Sequence, residues 1–162
     1  MSAPLSEQTQ ALVDSVQRVA VVGAGTMGNG ISQVFAQSGY EVVIIDPIDA
    51  ALERARGFIE NSLGRMVKKE KISTSDAEAA LGRISFETSA EAAAGVQWAV
   101  EAVPEDENLK EKVLSALDSQ VAAGGVIATN TSSLSITRLA NFTSRPESFV
   151  GMHFMNPVPM MK

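Results

Sequence analysis

The stretch "RVAVVGAGTMGNGI", residues 18–31, decides the fold. Its continuous apolar start is typical of a strand buried on both faces, and four glycines interrupt it before an apolar segment resumes. Gly23, Gly25 and Gly28 fit the pattern G-x-G-x-x-G at the start of a helix predicted over 26–38. The first glycine permits a tight turn, the second lets the backbone approach a pyrophosphate, and the third allows close helix–strand packing. The stretch therefore predicts a dinucleotide-binding turn.

A second apolar strand, "YEVVIID", residues 40–46, places Asp46 about twenty residues after the glycine turn. A carboxylate at this position accepts hydrogen bonds from the adenosine ribose and repels the 2′-phosphate of NADP. No arginine follows directly in "DPIDAAL", so NAD is the predicted cofactor. The alternative is that Asp46 is only a turn acid before Pro47. A nucleotide triphosphatase is disfavoured because no P-loop lysine follows the glycines.

The rest of the chain alternates between the two kinds of element. Strands are predicted at 18–23, 40–46, 83–88, 96–103, 125–130 and 148–154, and helices at 26–38, 49–71, 75–82 and within 108–124. This alternation predicts an α/β fold of the Rossmann type, a doubly wound, mainly parallel sheet with helices on both faces. We expect residues 17–162 to form that domain, with residues 1–16 as an N-terminal extension.

Composition narrows the class of protein. The 162 residues carry a net charge of −6 and no cysteine. The negative charge argues against nucleic acid and acidic membrane surfaces as partners, and the lack of cysteine excludes disulfides and zinc–thiolate sites. We predict no metal site. No basic residue precedes Arg18 and no apolar run is long enough to span a bilayer, so we expect a soluble, cytoplasmic protein.

The only histidine, His153, lies in "GMHFMNPVP" near the end of a predicted strand. A lone histidine in an apolar stretch is more often a packing residue than a catalyst. Doubly wound sheets, however, place their sites at the carboxyl ends of strands. A second such loop, "NTSSLSI", offers Ser132, and the two side chains could bracket one substrate oxygen. The alternative for this loop is helix capping, by Ser133 or Ser135.

Four motifs together resemble one enzyme family: "VVGAGTMGNGI", "VEAVPEDENLK", "NTSSLSI" and "GMHFMNPVPMMK". They resemble the N-terminal domain of the 3-hydroxyacyl-CoA dehydrogenases, including bacterial 3-hydroxybutyryl-CoA dehydrogenases, from about residue 18 to 162. The resemblance implies NAD-dependent oxidation of an (S)-3-hydroxyacyl-CoA, in which His153 is the general base and Ser132 lies near the substrate oxygen.

The resemblance also implies which residues bind the cofactor. The set comprises Gly23, Gly25, Thr26, Met27, Gly28, Asp46, Glu105, Lys110 and Asn156, the last of which also faces substrate. "PEDENLK" departs slightly from the family pattern, so the acid that contacts NAD is left open among Glu105, Asp106 and Glu107.

The predicted long helix carries "NSLGRMVKKEK", a basic segment in an otherwise acidic protein. Its cations suit the phosphates of coenzyme A, and the family position points to Ser62 and Lys69 as substrate contacts. The alternative is an ordinary solvated helix face, with Glu70 as a balancing charge.

In the family a second, helical domain supplies a glutamate that orients the histidine and most of a homodimer interface. We therefore expect this chain to be a fragment that binds NAD but turns over poorly alone. Two other functions stay open. One is a dehydrogenase of free 3-hydroxy acids, which uses a catalytic lysine in its helical domain, and the other is a non-catalytic NAD-binding module.

Overall fold

Strands and helices alternate along the part of the chain described by the computed structural model, residue 10 and residues 13–161. The strands are β1 (Arg18–Val22), β2 (Glu41–Ile45), β3 (Ile84–Glu87), β4 (Trp98–Glu101), β5 (Val126–Thr129) and β6 (Phe149–Gly151). The α-helices that follow β1 are α1 (Thr26–Gln37), α2 (Asp49–Lys68), α3 (Thr74–Gly82), α4 (Glu107–Gln120) and α5 (Ile136–Ala140). Short 3-10 helices occupy Ala90–Ala93, Pro146–Ser148 and Val158–Met160.

The six strands form one sheet in the order β3-β2-β1-β4-β5-β6, and each neighbouring pair is parallel. This order is that of a doubly wound Rossmann sheet. The predicted fold class is therefore confirmed.

Both faces of the sheet are buried, as the unbroken apolar strands predict. In β1, Val19 and Val21 pack into the core beneath α1, α2 and α3, whereas Ala20 and Val22 pack into the core beneath α4 and α5. All four side chains are at most 6% exposed. Burial on both faces explains why β1 reads as a continuous apolar run rather than an alternating one.

The chain reverses its direction of winding between β1 and β4. Strands β2 and β3 build outward from one side of β1, and β4, β5 and β6 build outward from the other. Loops at the carboxyl ends of β1 and β4 therefore diverge and leave a crevice, which is where doubly wound sheets bind their ligands.

Two predicted elements are shorter in the structure than the sequence indicates. Helix α2 ends at Lys68 rather than at residue 71, because Glu70 adopts a left-handed backbone with φ of 54° and Lys69 becomes the C-cap. Strand β6 has three residues rather than the seven predicted over 148–154, so His153 lies in the loop beyond it.

The residue that caps α5 was also predicted. Ser135 caps α5 by accepting the backbone N–H of Arg138, which confirms one of the two capping alternatives.

Most of the predicted extension, residues 1–16, lies outside the described residues; Val16 packs against the core. Among the described helices, none combines the length and apolar character needed to cross a bilayer.

Candidate active site

A cleft of about 710 Å³ opens at the carboxyl edge of the sheet. Segments that follow five of the six strands line it. They include Ala24, Gly25, Thr26 and Met27 after β1, Asp46 after β2, Ala102 to Glu105 after β4, Asn130 and Ser132 after β5, and His153 to Asn156 after β6. The structure therefore brings most of the predicted site residues into one cleft.

The glycine turn has the geometry that its sequence predicts. Gly23 has φ of +104°, and its N–H donates to the carbonyl of Ile45 at 2.8 Å. A Cβ atom at Gly28 would lie 1.7 Å from the Gly23 carbonyl oxygen, so only glycine fits beneath α1. Apart from Gly25 and its two chain neighbours, no residue has an atom within 4 Å of a Cβ placed on Gly25, the N-cap of α1. The space in front of Gly25 is open to a phosphate.

The amino end of α1 suits an anion. No side chain caps it in the described residues, and its first turn holds no acidic residue. The first amides of a helix lack intrahelical partners, and the helix dipole adds positive potential there. A pyrophosphate laid against Gly25 would satisfy these amides.

Asp46 is fixed beside the glycine turn. One carboxylate oxygen accepts the N–H of Ala24 at 2.9 Å, and the other accepts the N–H of Ile48 at 3.0 Å. Each oxygen keeps a lone pair for a ribose hydroxyl. Arg54 lines the same cleft. The sequence analysis missed Arg54, which lies eight positions after Asp46. Its side chain faces the cleft only because residues 49–68 form a helix.

Glu105 organises the loop after β5. Its carboxylate accepts hydrogen bonds from the Thr131 hydroxyl at 2.7 Å, from the Ser132 N–H at 2.8 Å and from the Ser132 hydroxyl at 3.4 Å. Burial raises the pKa of Glu105, but the bonds from Ser132 and Thr131 and the charge of Lys110 outweigh it, so the pKa is lowered. Glu105 is therefore ionised at neutral pH.

The two other candidate acids are engaged elsewhere. Asp106 caps α4 by accepting the Leu109 N–H at 2.8 Å, and Glu107 forms an ion pair with Arg138. Neither lines the cleft. Of the three candidate acids, Glu105 is the one that lines the cleft, and its contact with NAD stays a prediction.

Lys110 lies at the bottom of the cleft with a side chain that is 1% exposed. Its ammonium donates to Glu101 at 2.7 Å and to the Val103 carbonyl at 3.1 Å, and it lies 3.7 Å from Glu105. A contact from Lys110 to NAD stays a prediction. Sequence reasoning did not single out Glu101, although a carboxylate inside the apolar run "WAVEAV" is a signal that could have found it.

The segment that carries His153 is tied to β5 on both sides of the histidine. The N–H of Met152 donates to the Thr129 carbonyl at 2.9 Å, and the N–H of Phe154 donates to the Asn130 side chain at 2.8 Å. His153 itself is exposed, and its imidazole has no hydrogen-bond partner among the described residues. Ser132, His153 and Asn156 thus line one cleft.

Ser62 and Lys69 lie outside this cleft. They line a separate small pocket of about 70 Å³ at the end of α2. Its other lining residues are Arg65, Met66, Lys71, Pro159 and Met160. Since Pro159 follows the His153–Asn156 segment closely in sequence, one loop connects the basic pocket with the cleft.

The family model of the 3-hydroxyacyl-CoA dehydrogenase, NAD binding domain, matches residues 18–162. The chain belongs to this family. Among solved structures of 3-hydroxyacyl-CoA dehydrogenase relatives, the (S)-3-hydroxybutyryl-CoA dehydrogenase from Ralstonia eutropha matches with a TM-score of 0.87 and 46% identity, over 91% of this chain and 52% of that one.

Two curated relatives are similarly close. A 3-hydroxybutyryl-CoA dehydrogenase of Mycobacterium tuberculosis is 40% identical over 149 residues, which are 91% of this chain and 52% of the relative. The mitochondrial hydroxyacyl-coenzyme A dehydrogenase of Rattus norvegicus is 40% identical over 153 residues, 91% of this chain and 49% of the relative. The chain therefore spans about half the length of the relatives it matches.

The residues fit the NAD that this family binds. The open face of Gly25 and the uncapped end of α1 suit the pyrophosphate, and the fixed carboxylate of Asp46 suits the adenosine ribose. The same cleft continues past the ends of β4 and β5, where Glu105 and Ser132 line it.

Proposed function

We propose that the protein catalyses NAD-dependent oxidation of a short-chain (S)-3-hydroxyacyl-CoA, such as 3-hydroxybutyryl-CoA, to the 3-oxoacyl-CoA. The observation that carries the proposal is the single cleft shared by the glycine turn, Ser132 and His153. A proton acceptor and a hydroxyl in the same cleft as the glycine turn support a hydride transfer coupled to loss of the hydroxyl proton. When bound, the oxidised nicotinamide accepts the hydride that leaves the hydroxyl-bearing carbon.

In this proposal the protein's own residues accept the proton, position the substrate oxygen and bind the cofactor. A ring nitrogen of His153 takes the hydroxyl proton as general base. The Ser132 hydroxyl, which donates to Glu105 at 3.4 Å in this structure, turns its hydrogen to the same substrate oxygen when substrate binds. Glu105 holds the Ser132 backbone at 2.8 Å and so fixes where that hydroxyl lies. Thr26, Met27, Lys110 and Asn156 complete the cofactor side of the cleft.

The acyl-CoA assignment is supported by the basic pocket at the end of α2. Arg65, Lys69 and Lys71 gather there in a protein whose net charge is −6. Phosphate groups of coenzyme A are the anions that such a cluster suits. The pantetheine arm would then lie along the loop that contains Pro159, between this pocket and His153.

Efficient turnover also needs an acceptor that orients the imidazole, as in other catalytic histidines. No described residue bonds the His153 ring. We therefore propose that the 162-residue chain binds NADH but turns over poorly, and that a second, helical domain like that of the family supplies the acceptor and a homodimer interface. Cytoplasmic location stays a prediction.

The test is reduction of acetoacetyl-CoA by NADH in the longest form of the protein that can be expressed. Replacement of His153 by Gln should lower kcat by about 10²- to 10⁴-fold, because general-base catalysis is lost. NADH affinity should be unchanged, since His153 does not hold the cofactor in this account.

Substrate comparison separates the alternatives. Equal rates with free acetoacetate and acetoacetyl-CoA would contradict the acyl-CoA assignment and favour a free 3-hydroxy acid. NADH binding without any turnover, at full length, would favour a non-catalytic module. Unchanged kcat in His153→Gln would refute the role of His153.

A further inference from the structure

Lys110, which lines the cleft, is paired with a buried carboxylate, Glu101, that has no part in the function proposed above. Glu101, the last residue of β4, is 0% exposed, and its partner Lys110 on α4 is 1% exposed. Removing two charges from water has a free-energy cost that their mutual attraction must offset. A buried pair of this kind is therefore weak evidence for a purely stabilising role.

The contacts of the pair converge on one loop. One Glu101 oxygen accepts both the Lys110 ammonium and the N–H of Val103, each at 2.7 Å. The other accepts the hydroxyl of Thr129, on β5, at 2.6 Å. Lys110 donates in turn to the Val103 carbonyl at 3.1 Å. Both polar backbone groups of Val103 are thus held by the pair.

That loop lies between the glycine turn and the serine loop. On one side, a Cβ atom at Gly23 would lie 2.7 Å from the carbonyl oxygen of Ala102, so the two backbones are in direct contact. On the other side, the loop carries Glu105, which bonds Thr131 and Ser132. A small shift at Val103 would therefore move Glu105 and Ser132 together.

We infer that Glu101 is a positioning residue for the nicotinamide half of the cofactor. It acts through Val103 and Lys110, which fix the loop between β4 and α4, so that Glu105 and Ser132 keep their places at the cleft. The inference rests on the proposed function, because it takes NAD as the ligand. It assigns Lys110 chiefly to this buried network.

Two ligands separate positioning from general stability. ADP reaches the glycine turn and Asp46 but has no nicotinamide half, whereas NADH reaches Glu105 and Ser132 as well. The readout is the ratio of the two dissociation constants, measured by calorimetry on the wild-type chain and on Glu101→Gln. The ratio cancels any effect of the removed charge on phosphate binding in general.

We expect Glu101→Gln to weaken NADH relative to ADP by about tenfold, the equivalent of one charge-assisted hydrogen bond. Glu111→Gln is the matched control, since Glu111 is an exposed acid next to Lys110 on the same helix. Its ratio should stay within about twofold of the wild-type value.

An unchanged ratio in folded Glu101→Gln would overturn the inference, whether the two constants move together or neither moves. If circular dichroism shows that Glu101→Gln does not fold, Glu101→Asp, which keeps the buried charge but shortens its reach, is judged by the same ratio. A folded wild-type chain that binds neither ligand would refute NAD binding, and this inference with it. Wild-type binding with an unchanged variant refutes the inference alone.

Discussion

Glu105 shows how one side chain joins two parts of the cleft. Its carboxylate is 40% exposed, yet it accepts bonds from Thr131 and Ser132 and lies 3.7 Å from the ammonium of Lys110. These partners favour the ionised form, which is why its pKa is lowered despite the opposing effect of burial. The residue is thus a structural tie between the loops after β4 and β5 as well as a proposed cofactor contact.

The lowered pKa of Glu105 predicts a pH dependence of stability. A group whose pKa is lower in the folded protein stabilises the fold above its ordinary pKa of 4.5, and this contribution is lost as the pH falls through the folded value. The difference in unfolding free energy between wild type and Glu105→Gln should therefore be constant near neutral pH and shrink below pH 4.5. Urea denaturation at a series of pH values measures it.

The difference in unfolding free energy between wild type and Glu105→Gln isolates the titration of Glu105. Asp76 and Asp118 also have lowered pKa values, Asp76 through bonds from Ser73, and Asp118 through Ser144 and Arg145, which outweigh its burial. Both carboxylates are present in wild type and variant, so their titration cancels. A difference that stayed constant from neutral pH to well below 4.5 would contradict the account.

At the scale of elements, the strand–turn–helix unit of β1 and α1 depends on close approach. A methyl group on Gly28 would meet the Gly23 carbonyl oxygen at 1.7 Å, a contact that cannot form unless the helix moves away from the strand. The same movement would shift the amides of α1 that face the cleft. Fold and cofactor site are therefore coupled through this one contact.

Gly28→Ala should accordingly be destabilised by about 1–3 kcal/mol or more, as expected for forced overpacking. Gly57→Ala is the control, because Gly57 lies inside α2 and nothing beyond the neighbouring helix backbone lies within 4 Å of its Cβ position. This control should gain about 0.5–1 kcal/mol from helix propensity. Thermal unfolding compares the two. If Gly28→Ala unfolded at the wild-type temperature, the packing account would be wrong.

Elements differ in how far sequence predicts them. Apolar strands and spaced glycines are local patterns, so residues 18–31 predict the β1–α1 unit, and the alternation of strands and helices after them predicts the sheet class. The end of α2 was predicted too late because the left-handed backbone of Glu70 has no strong local signal. The Glu101–Lys110 pair was missed because periodicity does not encode which side chains of β4 and α4 meet.

At the scale of the molecule, the order of strands places the site. The winding reverses between β1 and β4, and the cleft gathers loops from both halves of the sheet. Sequence analysis predicted this edge from the positions of Asp46, Ser132 and His153 at strand ends. It could not predict Arg54, since α2 must first fold before that side chain reaches the cleft.

Arg54 and Asp46 have opposite effects on the preference between NADH and NADPH. A guanidinium in the cleft would attract the 2′-phosphate of NADPH, whereas the Asp46 carboxylate would repel it. Asp46 is held in place by the amides of Ala24 and Ile48, while Arg54 is an exposed side chain. We therefore expect the fixed carboxylate to decide the preference in favour of NADH.

The measurement that tests the central claim most directly is a calorimetric titration of the 162-residue chain with NADH and then with NADPH. The account predicts NADH binding with a dissociation constant on the order of micromolar and NADPH binding at least about tenfold weaker. A chain that is folded by circular dichroism and yet binds neither nucleotide would contradict it.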